Sequence, residues 1–144
     1  MAEKYAAKAA WAKANPEKAA KLEMFFSGKA PEVNWAAIEQ KAGVATRAAS
    51  ATVLSALATQ VENMIVASAD LSNSDKTDGF LKKTHAFKKG DFSGAFFQAG
   101  VAELTMACCC IGMALHGGVI PACGTFFVFS DYMKPAVRMA ALME

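Results

Sequence analysis

The chain has 144 residues, which is enough for one domain with a single hydrophobic core. Hydrophobic residues make up 54% of it and charged residues 19%, so the composition excludes a disordered chain. The net charge of +2 cannot form the dense basic surface that nucleic-acid binding requires, so we expect no nucleic-acid partner.

The first part of the chain, residues 1–44, is charged and amphipathic, which favours a helical connector over a core. Alanines and lysines predict a helix over 2–14, and Asn15-Pro16-Glu17 predicts the start of a second helix. That helix is expected to end near Ser27-Gly28, because glycine terminates helices. A short helix is predicted from Asn34 through Gln40.

The pattern changes at residue 45, where we place the start of a domain over 45–144. Apolar residues at helical spacing predict a helix over 46–61, and Met64-Ile65-Val66-Ala67 predicts a buried strand. The strand ends at Ser68-Ala69-Asp70, and ligands in open α/β sheets bind at such strand ends.

The rest of the chain alternates apolar and polar segments, which predicts an α/β fold with short parallel strands between helices. Pro135 lies inside the last helix and predicts a kink or a break there. The predicted elements are a long loop over 71–91, a strand over 93–98, a helix from Gly100 or Val101 to Leu115, a strand over 119–121 and a helix over 125–143.

The apolar run over 101–128 raises the question of a membrane span. Glu103, His116-Gly117-Gly118 and Pro121 interrupt it, so a buried helix followed by a buried strand fits better, and we expect no membrane partner. Residues 1–14 lack the apolar core of a signal peptide. We therefore expect a cytoplasmic protein.

The four cysteines, at positions 108, 109, 110 and 123, are predicted to be small buried hydrophobes in a reducing compartment. Adjacent helical residues point about 100° apart, so three consecutive cysteines cannot converge on one tetrahedral metal. We predict no metal ligands in this chain.

One carboxylate, Glu103, stands near the start of an apolar helix. Its spacing alone favours an exposed acid that the helix dipole stabilises. Aromatic residues at i, i+3 and i+6, namely Phe126, Phe129 and Tyr132, would by themselves indicate core packing. By spacing alone the following would pass as surface or loop residues: Arg47, Asp70, Ser74, His85 and His116.

Three blocks nevertheless resemble transketolase, in the family's order. They are the helix with Arg47 followed by SADL and Ser74, then GVAELTM around Glu103, then ALHGGVIPACGTFFVFSDYMKPAVRMAALM. The resemblance covers about residues 47–143 well and the N-terminal helices more loosely. Ala102 stands where the family usually has arginine, and Cys110-Ile111 replaces a more usual small or amide-bearing pair.

This resemblance implies an incomplete thiamin-diphosphate-binding domain of the pyrimidine type. In transketolases the chemistry is that of thiamine diphosphate, and a two-carbon ketol unit passes from a ketose phosphate to an aldose phosphate. The resemblance implies that Glu103 hydrogen-bonds N1′ of the aminopyrimidine and promotes loss of the C2 proton. It implies roles near the cofactor for Phe126, Phe129, Tyr132 and Asp70, and contacts to the sugar phosphate for Arg47 and Ser74.

The family's Mg²⁺ is bound through a GDG-type motif, and no GDG occurs in this sequence. We therefore expect Mg²⁺ to be held by a separate diphosphate-binding domain, with the cofactor between two chains of a homo-oligomer. The chain alone is expected to be an inactive fragment or one subunit of a split enzyme.

Two alternatives remain open at this stage. One is a related thiamine enzyme, such as a deoxyxylulose phosphate synthase or a ketoacid dehydrogenase subunit. The other is a non-catalytic interaction domain that retains the fold.

Overall fold

The centre of the computed structural model, which describes residues 1–143, is a sheet of three parallel strands. Strand β1 (Met64–Ser68) lies between β2 (Phe96–Gln98) and β3 (Ile120–Gly124). The register pairs Val66 with both Phe96 and Ala122, so the three strands end at a common edge. The predicted α/β class with short parallel strands is confirmed.

Helices precede, connect and follow the strands. Within residues 1–143 they are α1 (Ala2–Ala14), α2 (Pro16–Phe26), α3 (Thr46–Gln60), α4 (Ser72–Asp75), α5 (Asp78–Leu81), α6 (Glu103–His116) and α7 (Ser130–Met143).

Helices cover both faces of the sheet, and the strand alternation decides which side chain meets which layer. Val66 and Phe96 point to one face, where they pack with Phe80 of α5 and with leucines of α3. Ala67 points to the other face, where it packs with Met106 and Cys110 of α6. Both layers are apolar because a parallel sheet is buried on its two faces.

The predicted helices α1 and α2 and the helix that follows residue 45 are confirmed, as is the strand after it. Neither α1 nor α2 contains a buried residue, in keeping with a connector. The division of the chain at 44/45 stays a prediction, and its last residue, Glu144, lies outside the described residues.

Two predictions for connecting segments were wrong. The helix predicted over 34–40 is only a 3₁₀ turn at Trp35–Ala37, without a side-chain cap from Asn34. The predicted loop over 71–91 contains α4 and α5, because Phe80 and Asp78 are buried against the domain. Tertiary burial of Phe80 outweighed the polar composition of that segment.

The predicted limits of the later elements also differ. Strand β2 begins at Phe96 rather than Ser93, whereas β3 extends to Gly124 because all five of its residues pair with β1. The last helix begins at Ser130, after a 3₁₀ turn at Phe127–Phe129. It continues through Pro135, so the predicted break does not occur, and the next residue, Ala136, is buried in the domain.

The cysteine prediction was only partly right. Cys110 is buried and Cys123 half-buried, but Cys108 and Cys109 are exposed on the outer face of α6. All four thiols are free. None of the helices in the described part of the chain is both long and apolar enough to cross a membrane.

Candidate functional site

Glu103 is the first residue of α6 and is only 7% exposed. Its burial follows from the helix periodicity, since Met106, Ala107 and Cys110 are the other buried residues of α6 and lie at i+3, i+4 and i+7 from it. The expectation of an exposed carboxylate, drawn from spacing alone, was therefore wrong.

A cavity of about 600 Å³, here called the Glu103 cavity, opens beside this carboxylate. The segments that follow β1 and β2 form part of its wall, with Ala69 and Leu71 from the first and Val101 from the second. Phe129 and Tyr132 close another side. The cavity thus combines one carboxylate with a mainly apolar and aromatic lining, as is typical of small-molecule sites.

The aromatic side chains beside the cavity form a continuous stack. The ring centroids of Phe126 and Phe129 are 6.0 Å apart, and those of Phe129 and Tyr132 are 6.1 Å apart. Two of the three residues lie outside an α-helix, contrary to the helix predicted over 125–143, because Phe126 is extended and Phe129 belongs to the 3₁₀ turn. A 3₁₀ helix has three residues per turn, which keeps residues at i and i+3 aligned.

The segment between β1 and α5, called here the loop although it includes the short helix α4, is held in shape by the carboxylate of Asp75. Its Oδ2 accepts a hydrogen bond of 2.8 Å from Ser68 Oγ, at the end of the strand. Its Oδ1 accepts bonds of 2.9 Å from the backbone N–H and 2.8 Å from the hydroxyl of Thr77. Asp75 therefore ties the beginning of the loop to its end.

Two residues of this loop other than glycine have left-handed backbone conformations, Asp70 with φ of 63° and Lys76 with φ of 71°. Such conformations are uncommon outside glycine and persist where the surrounding structure determines them. Here the hydrogen bonds of Asp75 to Ser68 and Thr77 hold the backbone in these conformations. The loop therefore has a fixed shape at the carboxyl edge of the sheet.

A second cavity of about 530 Å³, here called the Arg47 cavity, lies at the same edge. Arg47 at the start of α3 lines it, together with Asp75, Thr77, Thr125 and Phe126. The Oγ1 atom of Thr125 is buried and has no hydrogen-bond partner among residues 1–143. Buried hydroxyls are usually hydrogen-bonded, so this one is available to a ligand.

The structure brings most of the predicted site residues to one edge of the sheet. Glu103, Phe129 and Tyr132 share the Glu103 cavity, and Arg47 and Phe126 line the Arg47 cavity. Asp70 is exposed between Ala69 and Leu71, which line the Glu103 cavity. Ser74 is exposed on α4 and lines neither cavity.

Sequence reasoning missed Ser68, Asp75, Thr77 and Thr125. The dense run of small polar residues after β1 was the available signal, since such residues hydrogen-bond the backbone of tight loops. His85 and His116, predicted to be surface or loop residues, are both exposed. Among residues 1–143 there is no group of three acidic, histidine or cysteine side chains placed to bind a metal.

Comparison with known proteins places the chain in a family. Residues 42–144 match the family described as transketolase, pyrimidine binding domain, and the chain belongs to that family. A transketolase of Halalkalibacterium halodurans is 43% identical over 140 residues, which are 94% of this chain and 21% of that protein. A transketolase of Bacillus subtilis is 43% identical over 132 residues, which are 89% of this chain and 19% of that protein.

Solved structures agree with this assignment. The transketolase of Leishmania mexicana superposes with a TM-score of 0.84 at 31% identity, over 94% of this chain and 20% of that one. The transketolase of Pichia stipitis in complex with sedoheptulose 7-phosphate gives 0.82 at 36% identity, over 95% and 21%. The chain therefore spans about one fifth of the length of the transketolases that it matches.

Proposed function

We propose that this chain supplies the pyrimidine-binding part of a transketolase, which moves a two-carbon ketol unit from a ketose phosphate to an aldose phosphate. Membership of the family implies dependence on thiamine diphosphate. The observation that carries the proposal is the buried carboxylate of Glu103 beside a cavity lined by aromatic rings. The relatives and solved structures named above are transketolases, which favours this enzyme over related thiamine enzymes.

The Glu103 cavity suits an aminopyrimidine ring in its chemistry. A carboxylate withdrawn from water needs a hydrogen-bonding partner, and a ring nitrogen offers one. Glu103 would hold and exchange a proton with that nitrogen, acting as the acid–base group of the site. Thiamine diphosphate, when bound there, supplies the carbon nucleophile that carries the two-carbon unit.

The aromatic stack would hold the flat ring in place. Phe129 and Tyr132 line the cavity, and Phe126 continues the stack behind them. Aromatic contacts of this kind contribute about 0.5–1.5 kcal/mol per pair beyond burial. Asp70, held at φ of 63° next to the cavity wall, would face the rest of the cofactor.

The Arg47 cavity suits the phosphate end of a sugar phosphate. A guanidinium binds phosphate through two parallel hydrogen bonds, and Arg47 is exposed at the cavity. The unpartnered hydroxyl of Thr125 is a further donor. We assign Ser74 to the same ligand, reached from α4 at the rim rather than from the cavity wall.

The diphosphate and its Mg²⁺ would be bound by another domain. We infer that this domain, from a second chain in a homo-oligomer, covers the apolar rim of the Glu103 cavity. Val101 is 80% exposed, Tyr132 62% and Leu104 44% around that cavity. Exposed apolar patches of this kind mark interaction surfaces. The four free thiols are in keeping with a reducing, cytoplasmic setting.

A coupled transketolase assay tests the proposal, with thiamine diphosphate, Mg²⁺, a ketose phosphate and an aldose phosphate. We expect no turnover by this chain alone and turnover after a diphosphate-binding domain is added. Glu103→Gln should reduce that turnover by at least about 100-fold, the usual contribution of a positioned acid–base group. The matched control is Glu62→Gln, because Glu62 is an exposed glutamate paired with Lys21.

Circular dichroism should give the same spectrum for both variants, since neither change alters volume. Near-normal turnover by Glu103→Gln would remove Glu103 from the acid–base role. Absence of turnover in every mixture, with intact folding, would contradict the transketolase proposal itself.

A further inference from the structure

The Arg47 cavity is lined by two side chains of opposite charge that do not neutralise each other. Among the residues that line it, Arg47 and Asp75 are the charged ones. No ion pair joins them in the part of the chain that the structure describes, and Arg47 is exposed. The cavity therefore offers both a cation and an anion to one ligand, whereas a bare phosphate would need only the cation.

The carboxylate of Asp75 keeps one acceptor position free. An ionised carboxylate has about four lone-pair positions and no proton to donate. Three positions are used, by the hydroxyl of Ser68 and by the backbone N–H and hydroxyl of Thr77. Oδ1 accepts two of these bonds and Oδ2 accepts one, so the free position belongs to Oδ2. A ligand group that donates a hydrogen bond can occupy it, whereas an anionic group would be repelled.

Buried neighbours fix this carboxylate in position. Ser68 is 1% exposed and Thr77 is 5% exposed, so both of its partners are held by the domain. Gly124, at the end of β3, makes room for Thr77, because an added Cβ atom would lie 2.5 Å from Thr77 Cγ2. A fixed acceptor discriminates strongly between ligands, since a ligand that cannot donate to it leaves a partly buried polar group unpaired.

We propose that Asp75 is a specificity-determining residue of the Arg47 cavity, which selects phosphate monoesters with a hydroxyl group on the carbon chain and rejects those with a second anionic group there. This inference rests on the proposed function, in which Arg47 binds the phosphate of a sugar phosphate. Oδ2 of Asp75 accepts a hydrogen bond from the ligand hydroxyl. A carboxylate or a second phosphate at that position has no proton to donate and meets a like charge.

Two small phosphate esters differ in the group that Asp75 would recognise. Glycerol 3-phosphate ends in a hydroxymethyl group where 3-phosphoglycerate ends in a carboxylate. If the cavity recognised charge through Arg47 alone, it would bind the more negative 3-phosphoglycerate more tightly. The proposal predicts the opposite order, with glycerol 3-phosphate bound at least about tenfold more tightly, the effect of one hydrogen bond to a charged group.

Titration of the isotopically labelled 144-residue chain with each ester tests the proposal. Amide chemical shifts of Arg47, Asp75 and Thr77 report binding at the cavity and give both dissociation constants. Asp75→Asn should abolish the preference, because its amide has the same shape but no charge. The amide can still accept from Thr77 and can donate to Ser68 Oγ, so thermal unfolding should show an intact fold. Arg47→Leu should weaken binding of both esters.

Asp131→Asn is the matched control, because it removes the same charge from an exposed residue that lines neither cavity, and it should keep the preference. Equal binding of the two esters by the unchanged chain, or a preference that survives Asp75→Asn, would overturn the proposal and leave phosphate binding by Arg47 in place. Failure of both esters to bind at the cavity would contradict the phosphate assignment as well. None of these results depends on turnover.

Discussion

Asp75 shows how one side chain can fix the shape of a ligand-facing loop. Its two carboxylate oxygens accept three hydrogen bonds, from Ser68 and from the backbone and side chain of Thr77. Ser68 is 1% exposed and Thr77 is 5% exposed, so water cannot readily replace the carboxylate. The same loop contains Asp70 and Ser74, the two residues that we assign to cofactor and substrate.

Replacing Asp75 with alanine should destabilise the domain. Removing the acceptor leaves buried donors unpaired, at a cost of about 1–3 kcal/mol. Urea denaturation of the isolated chain measures the free energy of unfolding. Asp131→Ala is the matched control, because Asp131 is 66% exposed and paired only with exposed Lys134, and it should cost less than about 0.5 kcal/mol. Equal effects of the two changes would show that the Asp75 contacts do not hold the loop.

At the level of elements, α3 and α5 can pack closely because Gly79 of α5 has no side chain at their contact. A Cβ atom added at Gly79 in α5 would meet the backbone carbonyl oxygen of Ala51 in α3 at 2.5 Å. Backbone atoms cannot move aside as the end of a flexible side chain can. The glycine is therefore required by the helix contact rather than by its own φ angle.

Gly79→Ala should accordingly lower stability by about 1–3 kcal/mol, as overpacking usually does. Gly112 offers a control in the interior of α6, because a Cβ atom there meets nothing within 4 Å. Gly112→Ala should raise stability by about 0.5–1 kcal/mol, since alanine favours a helix over glycine. Thermal unfolding of the two variants checks both signs, and a stable Gly79→Ala protein would contradict the packing account.

The sequence predicted those elements whose own residues decide their structure. Asn15-Pro16 and Gly117 mark helix ends through backbone conformation, and both predictions were confirmed. Helices α4 and α5 were missed because the burial of Phe80 depends on residues far away in sequence. The break predicted at Pro135 was wrong, because α7 packs against α6 and stays continuous through the proline.

The same distinction applies to the site. The burial of Glu103 could have been predicted, because i, i+3, i+4 and i+7 spacing places it on the apolar face of α6. The hydrogen bonds of Asp75 could not have been predicted. They join the end of β1 to Thr77 through contacts that produce no periodic pattern in the sequence. The roles of Arg47, Asp70 and Ser74 came from resemblance alone and stay predictions.

For the whole molecule, the distribution of apolar surface supports the proposal that a partner domain binds beside the two cavities. Phe127 is 94% exposed and Val101 is 80% exposed near the two cavities. A domain that binds the diphosphate would cover these side chains and exclude water from the Glu103 cavity. Burial would strengthen the electrostatic interaction between the carboxylate and a ring nitrogen.

The most direct test of the central claim is an amide chemical-shift map of this chain, isotopically labelled and mixed with an unlabelled diphosphate-binding domain. Thiamine diphosphate with Mg²⁺ is then added to that mixture. We predict that the largest new shifts fall on Ala69, Glu103 and Phe129, around the Glu103 cavity, and that they disappear in Glu103→Gln. Shifts confined to the Arg47 cavity, or the same map in both proteins, would contradict the claim that Glu103 binds the pyrimidine ring.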